Sequence, residues 1–97
     1  MLSKIPIDLS RLEKEALDRE ILRAAIIAEL DAINLYEQMA NMTRNKNIRK
    51  ILLDVAREEK THVGEFQTLL VREDTEQERE LKEGKREIEE LIEHEKR

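Results

Sequence analysis

Glu59 and His62, in the stretch Glu59-Lys60-Thr61-His62, place a carboxylate and an imidazole three residues apart. On a helix that spacing puts both side chains on one side, about one turn apart. Both fall in a row that is otherwise apolar: Ile48, Leu52, Val55, Glu59, His62, Phe66, Leu69, read at steps of four and three. Such a row is the one a helix turns toward a partner helix. Burying a carboxylate beside an imidazole is costly unless each is paired. A metal ion is the partner that satisfies both at once.

In a chain with 23 acidic residues and two histidines, Glu-x-x-His alone is not specific. Glu29 makes it so. It interrupts a second row of the same kind, Leu22, Ile26, Glu29, Ile33, Tyr36, Ala40, flanked by Ala25, Ile27, Leu30 and Ala32. Glu29 stands sixteen residues before Asn45 and Glu59 stands fourteen after it. In an antiparallel hairpin turning near Asn45 the two carboxylates therefore face each other at one level. His62 is one turn away on its own helix. Tyr36, one heptad past Glu29, lies on the same face and within reach of that level.

A di-iron carboxylate site in a four-helix bundle takes a Glu from each of two helices and a Glu-x-x-His pair from each of the other two. This chain carries half of that set. Two copies related by a twofold axis supply four carboxylates, two imidazoles and four helices. An oxygen-rich site with one imidazole per metal and no thiolate suits iron or manganese, with zinc as a further candidate. Four carboxylates favour the more highly charged ferric state, so iron is the expected metal, two ions per dimer and one per chain. Glu29, Glu59 and His62 are the candidate metal ligands and, with Tyr36, the candidate catalytic residues.

The elements that must position these residues are helices. Proline occurs once and glycine twice in 97 residues, which favours long uninterrupted helices. Ser10 and Glu13 have the form of a capping box, predicting a first helix over about 11–42. The polar stretch Thr43 to Asn47 suits a turn between antiparallel helices, with Asn47 as N-cap of a second helix over about 48–72. Met39, Met42 and Phe66 read as packing residues. Gly64 marks either a close backbone approach or a tolerated substitution. Asp74-Thr75 breaks the pattern, and Thr75 with Glu78 forms a second capping box before a polar helix over about 76–96. Its narrow apolar stripe, Leu81, Ile88, Leu91 and Ile92, predicts a helix that docks on another subunit or projects from the body. His94 reads as a solvated surface histidine.

The length bounds the chain to one domain, residues 1–97. With one Tyr, one Phe and 42% charged residues, little is available to fill a core, and small domains of this kind need a staple or a partner subunit. The absence of cysteine excludes disulfides and thiolate zinc sites and agrees with a reducing interior. No apolar run approaches the roughly 20 residues that cross a bilayer, and Met1 to Asp8 lacks the form of a secretory signal. A net charge of −5 argues against nucleic acid as a partner.

Glu29, Tyr36 seven residues on, and then Glu59 and His62 across a short turn resemble the encapsulated ferritins, half-length members of the ferritin-like superfamily. The resemblance covers about residues 11–72. It implies an all-α fold: an antiparallel two-helix hairpin plus a C-terminal polar helix, dimerising into a ferritin-like four-helix bundle. It further implies a ferroxidase centre between two chains, dimers arranged in an annular homodecamer, and iron mineralised within an encapsulin shell in the cytoplasm. By the same resemblance Glu59 bridges two irons, Glu29 and His62 are terminal ligands, and Tyr36 stands beside the site. Family members often carry acidic residues next to the first-helix glutamate that guide metal inward; here Ala28 and Asp31 are the neighbours, which leaves Asp31 as the candidate. The chain ends in Glu93-His94-Glu95-Lys96-Arg97 and not in an apolar shell-targeting peptide. In this the chain departs from the free cargo members of the family, and the resemblance leaves two readings: a domain excised from an archaeal fusion to the shell protein, or a chain whose tail has been trimmed. Two other readings stay open at this point: a non-enzymatic helical assembly module in which the polar seam residues set register, and a structural zinc or manganese site.

Overall fold

The computed structural model describes residues 14–95. Three helices follow one another: α1, Lys14–Met42; α2, Lys46–Glu73; and α3, Thr75–Glu95. The fold is all-α. Ser10, Glu13 and the capping box they were read to form lie outside the described residues, as does the side chain of His94.

Helices α1 and α2 form the antiparallel hairpin. At 29 residues α1 is roughly 43 Å long. Its connection to α2 is tighter than the sequence suggests, only residues 43–45. The N-cap of α2 is Asn45, not Asn47. Asn45 has extended backbone (φ −86°, ψ 118°), and its Oδ1 accepts the backbone N–H groups of Asn47 at 2.9 Å and Ile48 at 3.1 Å. Both asparagines are competent caps by type, and backbone conformation selects the first. On the other side of the turn, Arg49 donates from Nε to the Ala40 carbonyl at 3.1 Å and from Nη2 to the Thr43 carbonyl at 2.7 Å. One side chain from α2 thereby satisfies orphan carbonyls at the end of α1. Met42 is not a packing residue: it sits at that end and is 81% exposed.

The core of the hairpin consists of Ile33 and Ala40 from α1 with Ala56 and Leu70 from α2. The two alanines are the most covered of the four, at 2% and 1% exposure. On α2 the face turned to α1 is shifted by one residue from the predicted row. Ala56 and Leu70 are buried where Val55 is half-buried and Leu69 is 46% exposed. Ile48, Val55, His62 and Leu69, seven residues apart, instead form a half-open edge row. Both rows are largely apolar, so periodicity alone does not choose between them. Glu59, Leu52 and Phe66 keep the intermediate burial of residues at the interface.

Asp74 separates α2 from α3 with extended backbone (φ −141°, ψ 90°). Its Oδ1 accepts the Gln77 N–H at 3.0 Å, so Asp74 and not Thr75 caps α3. Helix α3 packs against α2 and not against α1. Its apolar residues Leu81, Ile88, Leu91 and Ile92 are all exposed. Neighbouring charges support it along its own length, as where Arg86 bridges Glu83 and Glu90. A Cβ built at Gly64 meets no atom within 4 Å, so that glycine marks no close approach within the chain.

Candidate metal centre

Midway along the hairpin, α1 delivers Glu29 and α2 delivers Glu59 and His62 to one point. Each offers a ligand atom, and these atoms lie within 4.8 Å of one another. His62 Nδ1 stands 3.4 Å from Glu59 Oε2 and 3.6 Å from Glu29 Oε2. The carboxylates are mostly covered, 20% exposed for Glu29 and 19% for Glu59, whereas the imidazole is 44% exposed. Antiparallel register is what brings residues 30 and more apart into contact. The three-residue spacing then sets His62 beside Glu59.

The group fits a cation by its own chemistry. Glu29 Oε2 is buried and has no hydrogen-bond partner, an arrangement that costs free energy unless a positive charge completes it. Two carboxylates within 4.8 Å also repel while both are ionised. Among the described residues the one basic side chain within 4 Å of these acids is His62, whose Nδ1 faces both. An ion at that point would receive two oxygens and one nitrogen from this chain, too few to close a coordination sphere of six. The open side is the edge row of Ile48, Val55, His62 and Leu69.

A groove of about 420 Å³ opens onto the group and is lined by Glu29, His62, Glu65, Phe66 and Leu69. Glu65 was not singled out from the sequence. Its signal was present as a second three-residue step, Glu59-x-x-His62-x-x-Glu65, which continues the row by one more turn. The other predicted residues stand further off. Tyr36 is half-buried on α1 and is not part of the groove lining. Asp31 is also half-buried and lies outside both the three-residue group and the groove. Lys60, beside Glu59, is turned outward to Glu37 at 3.0 Å and leaves the site without a resident lysine.

With the geometry in place, similarity to known proteins becomes informative. The family described as Rubrerythrin matches residues 20–97. The crystal structure of the encapsulated ferritin domain from Pyrococcus furiosus matches with a TM-score of 0.80 and 58% identity, over 94% of this chain and 95% of that one. The chain belongs to the rubrerythrin family, among the encapsulated ferritins. A ferritin-like–encapsulin shell fusion protein from Pyrococcus furiosus is 69% identical over 72 residues, 74% of this chain and 21% of the fusion protein. The encapsulin nanocompartment cargo protein EncC from Myxococcus xanthus is 43% identical over 63 residues, 65% of this chain and 48% of that protein. The encapsulated-ferritin chain described here thus spans about a fifth and about half of these two relatives. Among its described residues no helix is long and apolar enough to cross a membrane.

Proposed function

We propose that two copies of this chain close around the Glu29–Glu59–His62 group to form a di-iron ferroxidase centre. The observation that carries the reading is the buried Glu29 Oε2 with no hydrogen-bond partner, aimed at the same point as Glu59 and His62. A twofold mate supplies the remaining donors, and the same step covers the edge row and the exposed apolar residues of the hairpin. The dimer is a four-helix bundle with one iron per chain. Fe(II) is the substrate. Two Fe(II) ions give up one electron each, and the pair reduces dioxygen with two protons to hydrogen peroxide, or hydrogen peroxide with two protons to two waters.

The residues divide that work by position. By the resemblance to the encapsulated ferritins, Glu59 would serve both irons, and Glu29 and His62 would be terminal ligands. Four carboxylates in a partly desolvated site favour the ferric product over the ferrous substrate. His62 binds through Nδ1 and leaves its exposed edge toward the groove. Tyr36 stands beside the centre, and Asp31 guides metal toward it. The names of the fusion and cargo relatives support an encapsulin shell as partner, with the oxidised iron mineralised inside a cytoplasmic nanocompartment and the dimers arranged as an annular decamer.

Aerobic addition of Fe(II) tests the reading. A saturating fast phase near one iron per chain is expected, and Glu29→Ala, Glu59→Ala and His62→Ala should each remove it. If all three variants oxidise iron like the parent, the centre lies elsewhere. Zinc or manganese in protein purified without added metal, with no redox turnover, would mark a structural site instead. Metal-free protein whose mass is unchanged by chelation would mark an assembly module.

A further inference from the structure

We propose that the acidic helix α3 is seated on the basic α1–α2 turn of the twofold mate, so that the two copies pair antiparallel. The inference rests on the di-iron reading above and names the surfaces that orient its mate. Charge is divided unevenly along the chain. Helix α3 holds nine glutamates against Arg79, Lys82, Lys85 and Arg86, a balance of −5. The whole chain also has a formal charge of −5, so the acidic excess sits on α3. The stretch from Gln38 to Leu53 is the opposite: it carries Arg44, Lys46, Arg49 and Lys50 and no acidic residue. All four are exposed, and none forms an ion pair among the described residues.

Both surfaces also expose apolar side chains: Leu81, Ile88, Leu91 and Ile92 on α3, and Met42, Ile48, Ile51 and Leu53 around the turn. The two surfaces are complementary in charge and alike in apolar content. Within one chain they do not meet, because the 28 residues of α2 hold the turn and the start of α3 roughly 42 Å apart. That is several screening lengths at physiological salt.

Register then decides which copy supplies the complement. Asn45 stands fourteen residues before Glu59 and Asp74 fifteen after it, so the metal centre lies midway between turn and elbow. A twofold axis through the centre leaves two orientations for the mate. Parallel hairpins would set basic turn beside basic turn and α3 beside α3, and like charges across an interface are costly. Antiparallel hairpins set each turn at the level of Asp74 in the other copy, where α3 begins. They also set the exposed Leu69, ten residues after Glu59, at the level of the exposed Ile51 in the other copy, eight residues before it.

The test uses the full chain loaded with Co(II). A zero-length carbodiimide joins lysine to carboxylate only in contact, and mixing isotopically light and heavy chains marks the links that run between copies. Light–heavy links should join Lys46 or Lys50 to glutamates of α3, and should disappear together with the dimer on chelation. Lys46→Glu with Lys50→Glu should weaken dimerisation about tenfold at low ionic strength, and so should Glu80→Lys with Glu87→Lys. These four residues are exposed, and the caps Asn45 and Asp74 are left in place. All four changes in one chain should restore the parent's affinity. Near 1 M salt, where the screening length is about 3 Å, the variants should converge on the parent. A fourfold variant no tighter than either pair overturns the proposal, and so do Co(II)-dependent dimers without a link from turn to α3. A parent that binds no Co(II) and stays a single chain fails the di-iron reading itself, an outcome distinct from either.

Discussion

The Arg23 guanidinium donates to Asp74 Oδ2 at 2.9 Å, an ion pair between residues 51 apart that ties α1 to the start of α3. The other oxygen of the same carboxylate caps α3 through the Gln77 N–H. One side chain thus starts the third helix and anchors its direction. Since α3 has no packing against α1, this pair is the hinge pin of the elbow. Asp74→Asn keeps a competent N-cap and loses the ionic tie. Helix content by circular dichroism should be unchanged, while the distance distribution between spin labels on α1 and α3 should broaden. Arg23→Ala should give the same broadening. A distribution as narrow as the parent's would mean that packing on α2 alone sets the angle.

Acid should weaken the same elbow. The Gln77 N–H, and after it Arg23, hold the Asp74 carboxyl below its ordinary value of 3.8. A carboxyl depressed on folding contributes stability that is complete above the unfolded pKa and is lost as pH falls through the folded one. The loss therefore belongs below about pH 4. Denaturation midpoints measured from pH 6 down to pH 2 should fall less steeply below pH 4 in Asp74→Asn than in the parent. Parallel curves would count against the coupling.

The turn between α1 and α2 should be sensitive to two residues. Asn45→Ala removes the acceptor of two backbone N–H groups and should cost about 1 kcal/mol. Arg49→Ala frees the Ala40 and Thr43 carbonyls and should cost about 1 kcal/mol as well. Asn47→Ala should cost much less, because Asn47 donates its backbone N–H and caps nothing. Urea melts of the metal-free protein rank the three.

Removing charge from the centre should separate stability from function. Glu29→Gln removes the charge repulsion with Glu59 and puts an amide N–H donor where two acidic groups face each other. The metal-free variant should be more stable than the parent by about 1 kcal/mol and should no longer bind iron. Lower stability together with retained iron binding would contradict the assignment. Chelation of the parent should shift native mass toward the single chain, and the same treatment should leave the mass of Glu29→Gln unchanged.

Both glycines sit in helix interiors where an added Cβ meets nothing within 4 Å. Gly84→Ala and Gly64→Ala should each raise stability by about 0.5–1 kcal/mol. The gain should be equal at the two sites in the assembled protein. A loss confined to Gly64, two residues from His62, would reveal a second backbone pressed against α2 that one chain does not contain.

Much of the centre was legible because its information is local. Glu29 and Glu59 each interrupt an apolar row, and a short turn sets both at one level. Helical period and chain connectivity are enough to bring them together. Other features were not legible in the same way. Asn45 and Asn47 are equally good caps by type, as are Asp74 and Thr75, and only backbone dihedral angles choose between them. The two α2 rows, one through Ala56 and Leu70 and one through Val55 and Leu69, are both apolar, so their order of burial follows from packing. Glu65 repeats the spacing of Glu59 about His62, yet its place beside a groove depends on where Phe66 and Leu69 leave space.

By itself the sequence determined that this is a helical hairpin that sets Glu29 opposite Glu59 and His62 in otherwise apolar rows, with few aromatic residues and many charged ones. Those properties follow from periodicity and residue count, which no tertiary contact alters. Only the tertiary structure decided that Glu29 Oε2 is buried without a partner, that His62 stands at an open edge, and that Arg23 reaches Asp74. Each of these depends on the rotation of one helix against another, and that rotation follows from how the buried residues Ile33, Ala40, Ala56 and Leu70 pack between the helices.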